Sequence, residues 1–226
     1  MLRIHPVVTK HNPDMLSKPN IEVNDVPSPY VFTVWKRSSM SFQGTDGFTV
    51  FDHHGKLVFR VDNYSRKNSS STREGLILMD GPGNALLTLK PQVLSMKCQW
   101  NAYRGDGCRC SESGTKFDQV FTMRSGSTLF HGRKDEAEIF MGDHNVNKSP
   151  DFRIEGWFRR RNCKIRDGNG EVVADISRKR VNKKVMLADD VFNLVVQPCL
   201  ETDLIMAFVI ILDRICVKSF TPILCS

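Results

Sequence analysis

Three times this chain repeats one short phrase: an apolar run, Asp-x-x-Gly, and a second apolar run. The first copy is Val50-Phe51-Asp52-His53-His54-Gly55-Lys56-Leu57-Val58-Phe59. The second is Leu78-Met79-Asp80-Gly81-Pro82-Gly83-Asn84-Ala85-Leu86-Leu87, and the third is Lys164-Ile165-Arg166-Asp167-Gly168-Asn169-Gly170-Glu171-Val172-Val173. An Asp side chain in such a phrase accepts a hydrogen bond from an amide two residues on, and the Gly adopts a left-handed backbone without a Cβ clash. Apolar arms on both sides make each copy a β-hairpin. A chain with three such hairpins is committed to antiparallel sheet. The copies are unevenly spaced, which excludes a simple solenoid but leaves room for a two-fold duplication.

Strand signals continue between the copies. Tyr30-Val31-Phe32-Thr33-Val34-Trp35 is β-branched and aromatic, and a polar Lys36-Arg37-Ser38-Ser39 follows it. Leu57, Phe59 and Val61 alternate with Lys56, Val58, Arg60 and Asp62. Phe152, Ile154, Gly156 and Phe158 alternate with Arg153, Glu155, Trp157 and Arg159. Val172, Ala174 and Ile176 alternate with Val173, Asp175 and Ser177. Each pattern has the period of a strand with one buried face. Short strands with turn residues between them indicate a closed barrel or a sandwich rather than a βαβ sheet. Polar stretches at Tyr64–Gly75, from Gly105 to about Lys116, and at Gly142–Pro150 read as loops, and residues 1–29 as a flexible arm leading into a single domain, 30–226.

One segment departs from the β pattern. After Gln197-Pro198-Cys199-Leu200 comes a run from Leu204 to Leu212 that is apolar on every side. Thr202 or Asp203 can cap it, and an acidic residue suits the first turn of a helix. Nine residues, ended by Asp213 and Arg214, fall well short of the roughly 20 that a membrane span needs. A helix over about 202–217 that is apolar all round must be surrounded by protein. Among hairpins, that places it at the centre of a barrel.

The 226 residues carry a formal net charge of +7, which favours acidic partners: an anionic membrane surface or nucleic acid. The seven cysteines are irregularly placed and read as reduced thiols in a reducing compartment. Residues 1–20 lack the apolar core of a secretory signal, so the sequons at Asn63, Asn68 and Asn147 are expected to stay unused.

Several phrases taken in order resemble the plant LURP-one-related family. They are Gly47-Phe48-Thr49-Val50-Phe51-Asp52 through Asp62-Asn63-Tyr64, Leu78-Met79-Asp80-Gly81-x-Gly83 through Leu89, and Asp151-Phe152-Arg153-Ile154-Glu155-Gly156 with Cys163-Lys164-Ile165. Val191-Phe192-x-Leu194-Val195-Val196-Gln197-Pro198 and Ile205-Met206-Ala207-Phe208-Val209-Ile210-Ile211-Leu212-Asp213 complete the set. The resemblance implies a mainly β fold: a closed antiparallel barrel of about 12 strands enclosing a hydrophobic C-terminal helix, similar to phospholipid scramblases and the Tubby C-terminal domain. It also implies kinship with membrane-tethered transcription regulators and a link to plant defence. It brings no catalytic motif. Cys108 and Cys110 depart from the family pattern.

Arg159, Arg160, Arg161, Lys164, Arg178, Lys179, Arg180, Lys183 and Lys184 flank the third hairpin, whose arms bring them together as a candidate site for anionic lipid or phosphate. The bland reading of the same residues is a set of solvated strand ends that discourage edge pairing. Cys98, Cys108, Cys110 and His131 make a weak zinc signal, because CxC lacks a second ligand pair. His53 and His54 read as wet turn residues. Asp52, Asp80 and Asp167 are each accounted for by a turn. Ser69, Ser70, Ser71 and Thr72 follow Arg66-Lys67, where phosphorylation would weaken a basic surface. No nucleophile elbow, metalloprotease or phosphate-loop motif is present. The expectation is a non-enzymatic binding or regulatory protein without metal or cofactor, cytoplasmic, with peripheral-membrane or nuclear contact. It docks on an anionic phospholipid surface, with nucleic acid as the lesser alternative ligand. The competing readings are a protein-interaction scaffold with an unknown protein partner, and an unrecognised enzyme.

Overall fold

Twelve strands pair each with its neighbour and close on themselves. They are β1 (Tyr30–Arg37), β2 (Gly47–Phe51), β3 (Leu57–Tyr64), β4 (Gly75–Asp80), β5 (Ala85–Gln92), β6 (Gln99–Arg104), β7 (Gln119–Ser125), β8 (Ala137–Met141), β9 (Phe152–Trp157), β10 (Asn162–Asp167), β11 (Val172–Arg178) and β12 (Val191–Val196). A 3-10 turn, Phe158–Arg160, links β9 to β10, and one helix, α1 (Thr202–Lys218), follows β12. The computed structural model describes residues 27–37, 47–64, 75–92, 98–105, 119–126, 137–142, 149–182, 185–198 and 200–218. Pairing runs antiparallel in chain order around the ring, and β1 joins both β2 and β12 to close it. Closure leaves no sheet edge to template aggregation.

The barrel interior is filled by α1. No residue from Ile205 to Asp213 is more than 3% exposed, which is why this helix is apolar on all sides. Phe208 packs edge-on against Phe121 of β7, with ring centres 4.8 Å apart, and also meets Phe152 of β9 at 5.5 Å. Alternate strand residues such as Val34, Val50, Leu78, Leu89 and Leu194 complete the same core. The helix is therefore core rather than a lipid-inserting segment. No helix among the described residues is long and apolar enough to cross a membrane.

The three Asp-x-x-Gly copies are the β2–β3, β4–β5 and β10–β11 turns, built to one plan. In each, the Asp amide donates to the carbonyl four residues on, at 3.0 Å, and the Gly amide returns to the Asp carbonyl at 3.0–3.1 Å. The carboxylate Oδ1 also collects two amides. Asp52 takes those of His54 and Lys56, and Asp167 those of Asn169 and Glu171. Asp80 takes Gly83 and Asn84 instead, because Pro82 stands two residues on and has no N–H. These bonds favour the ionised form. The Asn84 side chain and the turn amides hold Asp80 below its ordinary pKa, and the Lys56 and His54 amides do the same for Asp52. His53 and His54 are exposed in their turn, with ring centres 3.7 Å apart. The β4–β5 and β10–β11 turns stand six strands apart in the ring of twelve, where a two-fold repeat would put them.

Each of these hairpins also carries a bulge just beyond the turn, with Val58, Leu86 and Val173 as the extra residues. This corrects the strict alternation read from the sequence. Val173, expected on the face opposite Ala174 and Ile176, is buried with them, and Val58 packs against the core. A bulge shifts the side-chain parity by one, so the two sides of a hairpin cannot both keep period two through it.

Candidate functional site: the basic rim

Antiparallel pairing sorts the loops onto two ends of the barrel. One end holds the three Asp-x-x-Gly turns and the start of α1. There Arg104, at the end of β6, binds both Glu201 and Asp203, at 2.9 Å from the latter. The other end holds the turn after β9, the segment 179–190 between β11 and β12, the end of β1, and the end of α1. Asn162 pairs with Ser177, so Arg159–Arg161 and Arg178–Arg180 share this rim. Trp35 pairs with Val191, and the Lys36 amide donates to the Asp190 carbonyl at 2.7 Å, which brings in β1.

The nine predicted basic residues separate into distinct roles. Arg161 is buried, at 6% exposure, in a left-handed conformation (φ 50°) that closes the 3-10 turn. Its guanidinium lies between the rings of Phe158 and Phe192, at 4.4 and 4.2 Å, and its Nε donates to the Asp189 carbonyl at 2.7 Å. Burial lowers its pKa, while Asp213 and Asp189 act to hold it up. Arg161 is thus an internal strut that ties the β9–β10 turn to the 179–190 segment, and it does not face solvent. Arg178 is exposed but ion-paired with Asp189, and its Nη1 reaches the Met186 sulfur at 3.0 Å. Lys179 donates to the Thr33 hydroxyl at 3.0 Å. Arg159 donates to the Cys216 carbonyl at 3.0 Å and so satisfies an end carbonyl of α1. Arg160 and Arg180 are exposed, Arg160 lying 5.3 Å from the Trp157 ring centre. Lys164 sits apart on the outer wall, beside a groove of about 260 Å³ lined also by Glu155, Trp157 and Arg166. Lys183 and Lys184 lie outside the described residues.

One pairing at this end gave no signal in the sequence. Lys36 of β1 donates to Asp213 of α1 at 2.9 Å, with the carboxylate almost wholly buried. Asp213 Oδ2 and Arg161 Nη1 are buried without a hydrogen-bonding partner among the described residues. An acidic residue closing an apolar run was readable; that a strand 177 residues away supplies its cation was not. Cys98 is exposed, whereas Cys163 and Cys216 are buried. Cys108, Cys110, His131 and the Ser69–Thr72 loop lie outside the described residues, as do residues 1–26. Among the described residues, no three His, Cys, Asp or Glu side chains gather as a metal site.

Arg161→Ala is expected to cost about 3 kcal/mol, because it removes two desolvated cation–π contacts and a buried hydrogen bond and leaves a cavity. Thermal unfolding should show a Tm lower by about 9 °C. An unchanged Tm would mean that the strut carries no weight.

Comparison with known proteins gives a consistent family. A family model described as LURP-one-related matches residues 30–213. The chain is 34% identical over 210 residues to protein LURP-one-related 8 of Arabidopsis thaliana, spanning 92% of this chain and 97% of that one. It is 37% identical over 182 residues to protein LURP-one-related 5 of the same plant, 80% of each. The X-ray structure of an Arabidopsis thaliana protein superposes with a TM-score of 0.56 at 22% identity, over 84% of this chain and 93% of that one, and shares the fold.

Proposed function

Because the chain belongs to the LURP-one-related family and folds as a closed barrel around a helix, we propose that it is a non-enzymatic binding protein whose basic rim docks on anionic phospholipid. The observation that carries this reading is the segregation of charge along the helix axis. Arg160, Arg178, Lys179 and Arg180 stand at the end of α1, while Asp52, Asp80, Asp167, Glu171, Glu201 and Asp203 stand at its start, where they outnumber Lys56, Arg60, Arg104 and Arg166 and where Arg104 is paired with Glu201 and Asp203. The rim keeps acids of its own: Asp189 is neutralised by Arg178, Asp213 is buried against Lys36, and Asp190 remains. A bipolar body of this kind orients itself before it touches a charged surface. Phosphate oxygens suit arginine forks, and each basic residue close to an anionic leaflet contributes about 1 kcal/mol. The non-enzymatic part of the proposal is supported by an interior filled with the side chains of α1, in the place where a barrel enzyme would hold substrate.

The test is co-sedimentation with phosphoinositide-containing and neutral liposomes at low and high salt. Binding should require the anionic lipid and weaken with salt. The double variant Arg160→Ala/Arg180→Ala should bind about 30-fold more weakly, at about 1 kcal/mol per side chain. These two are chosen because both are exposed and neither holds the fold together. Absence of binding under every condition would sink the lipid reading and leave the barrel as a protein-interaction scaffold.

A further inference from the structure

One exposed arginine of the rim is occupied from within the chain. Arg178 ends β11 opposite Phe192 of β12. Both arms of its guanidinium are taken by the segment that leads into β12. Nη2 is ion-paired with the Asp189 carboxylate, and Nη1 reaches the Met186 sulfur at 3.0 Å. The pair lies in water: the Arg178 side chain is 40% exposed and that of Asp189 58%. Exposed ion pairs of this kind contribute little to stability and exchange readily. The carboxylate gives the arginine the kind of acceptor that a phosphate would give it.

The backbone at Asp189 is pinned independently of that carboxylate. Arg161 Nε donates to the Asp189 carbonyl at 2.7 Å, the Lys36 amide to the Asp190 carbonyl at 2.7 Å, and the Val191 amide to the Ala188 carbonyl at 3.1 Å. Asp189 can therefore release Arg178 by turning its side chain, with the segment still in place. Arg161 cannot follow, because its guanidinium is enclosed by the rings of Phe158 and Phe192. Its positive charge is close enough to Asp189 for the acid to stabilise it. A ligand that displaces the carboxylate thus meets one free guanidinium and, near it, a fixed positive charge.

Displacement sets a threshold. Asp189 is tethered beside Arg178 and so competes at a high effective concentration. A phosphodiester headgroup brings a single negative charge, no more than the carboxylate it must replace. A phosphomonoester carries about 1.5 to 2 negative charges at neutral pH on three acceptor oxygens. The more highly charged group gains by the exchange, and the diester does not.

We infer that Asp189 is an internal competitor for an anion site at Arg178, and that it makes this site selective for phosphomonoesters over phosphodiesters. The inference rests on the lipid reading above and names the headgroup chemistry that the rim favours.

The test is co-sedimentation of the full chain with phosphatidylcholine vesicles that carry either phosphatidic acid, a phosphomonoester, or phosphatidylserine, a phosphodiester, at equal mole fraction. The wild type should prefer phosphatidic acid by about fivefold, the worth of one exposed ion pair. Asp189→Asn keeps the size of the side chain and the carbonyl contact, so the Tm should stay unchanged. It should strengthen binding to phosphatidylserine about fivefold and change binding to phosphatidic acid little. Asp190→Asn removes the same charge one residue on and should strengthen both alike. Arg178→Ala should abolish the preference, and Asp189→Asn added to it should do no more than Asp190→Asn does. Millimolar glycerol 3-phosphate added to the phosphatidic acid vesicles identifies the source of the ester. Release of the protein assigns the site to a free phosphate ester and retention to a lipid headgroup; either supports the competitor role of Asp189. Equal effects of the two Asn variants on both lipids, or a preference that survives in Arg178→Ala, would overturn the inference and leave the lipid reading standing. A wild type that binds no vesicle under any condition would overturn both.

Discussion

Ala207→Asp is expected to yield no folded protein. Ala207 is 0% exposed in the middle of α1, with the barrel wall on every side. A carboxylate there has neither water nor a cation in reach, and burying it unpaired costs several kcal/mol or forces it to stay protonated. The stability of a domain of this size is about 5–15 kcal/mol, so one such charge consumes much or all of it. The natural Asp213 makes the contrast within the same helix: it is buried too, but Lys36 reaches it at 2.9 Å. Thr202→Asp, at the start of α1 and near Arg104, should be tolerated, because a negative charge suits a helix N-terminus. Circular dichroism and gel filtration decide the matter. A soluble, folded Ala207→Asp protein would mean that the helix leaves the barrel, as an inserting segment would.

The second large effect is expected at Gly156. This residue sits in β9 with φ at +125°, a conformation open essentially to glycine alone. A Cβ there would lie 2.2 Å from the Asn162 carbonyl oxygen and 2.8 Å from the Cα of Cys163, both backbone atoms of the paired strand β10. Neither can rotate away as a side chain would. Gly156→Ala should therefore cost about 4 kcal/mol, from backbone strain together with strand separation. The damage should spread to the adjoining 3-10 turn and Arg161, so rim-dependent binding should weaken along with stability. Denaturant unfolding checks the first, and vesicle co-sedimentation at a temperature where the variant stays folded checks the second. A wild-type midpoint would show that β9 and β10 can part without cost.

How far the site was legible differs residue by residue. The Asp-x-x-Gly turns were readable because each is a local device, closed by amides within four residues of its own carboxylate. The central helix was readable because nine apolar residues without a polar face leave no other place to go. Gly156 showed only as a glycine in a strand pattern, a known sign of close backbone approach, but the atom it approaches is set by β10. Arg160 and Arg161 are neighbours of identical type, and one faces solvent while the other is enclosed by Phe158 and Phe192. Nothing in a run of three arginines distinguishes them, because the difference arises from one left-handed residue and a ring contributed by β12.

The sequence by itself determined the antiparallel hairpins, the enclosed helix and the excess of basic charge, since each follows from spacing, periodicity or composition over a few residues. The tertiary structure alone decided which basic side chains face outward, which acid neutralises which cation, and that Trp35 and Trp157 share one end with Arg160 and Arg180. Those groupings depend on register around a closed ring of twelve strands, where residues more than a hundred positions apart become neighbours through hydrogen bonds that local sequence does not encode.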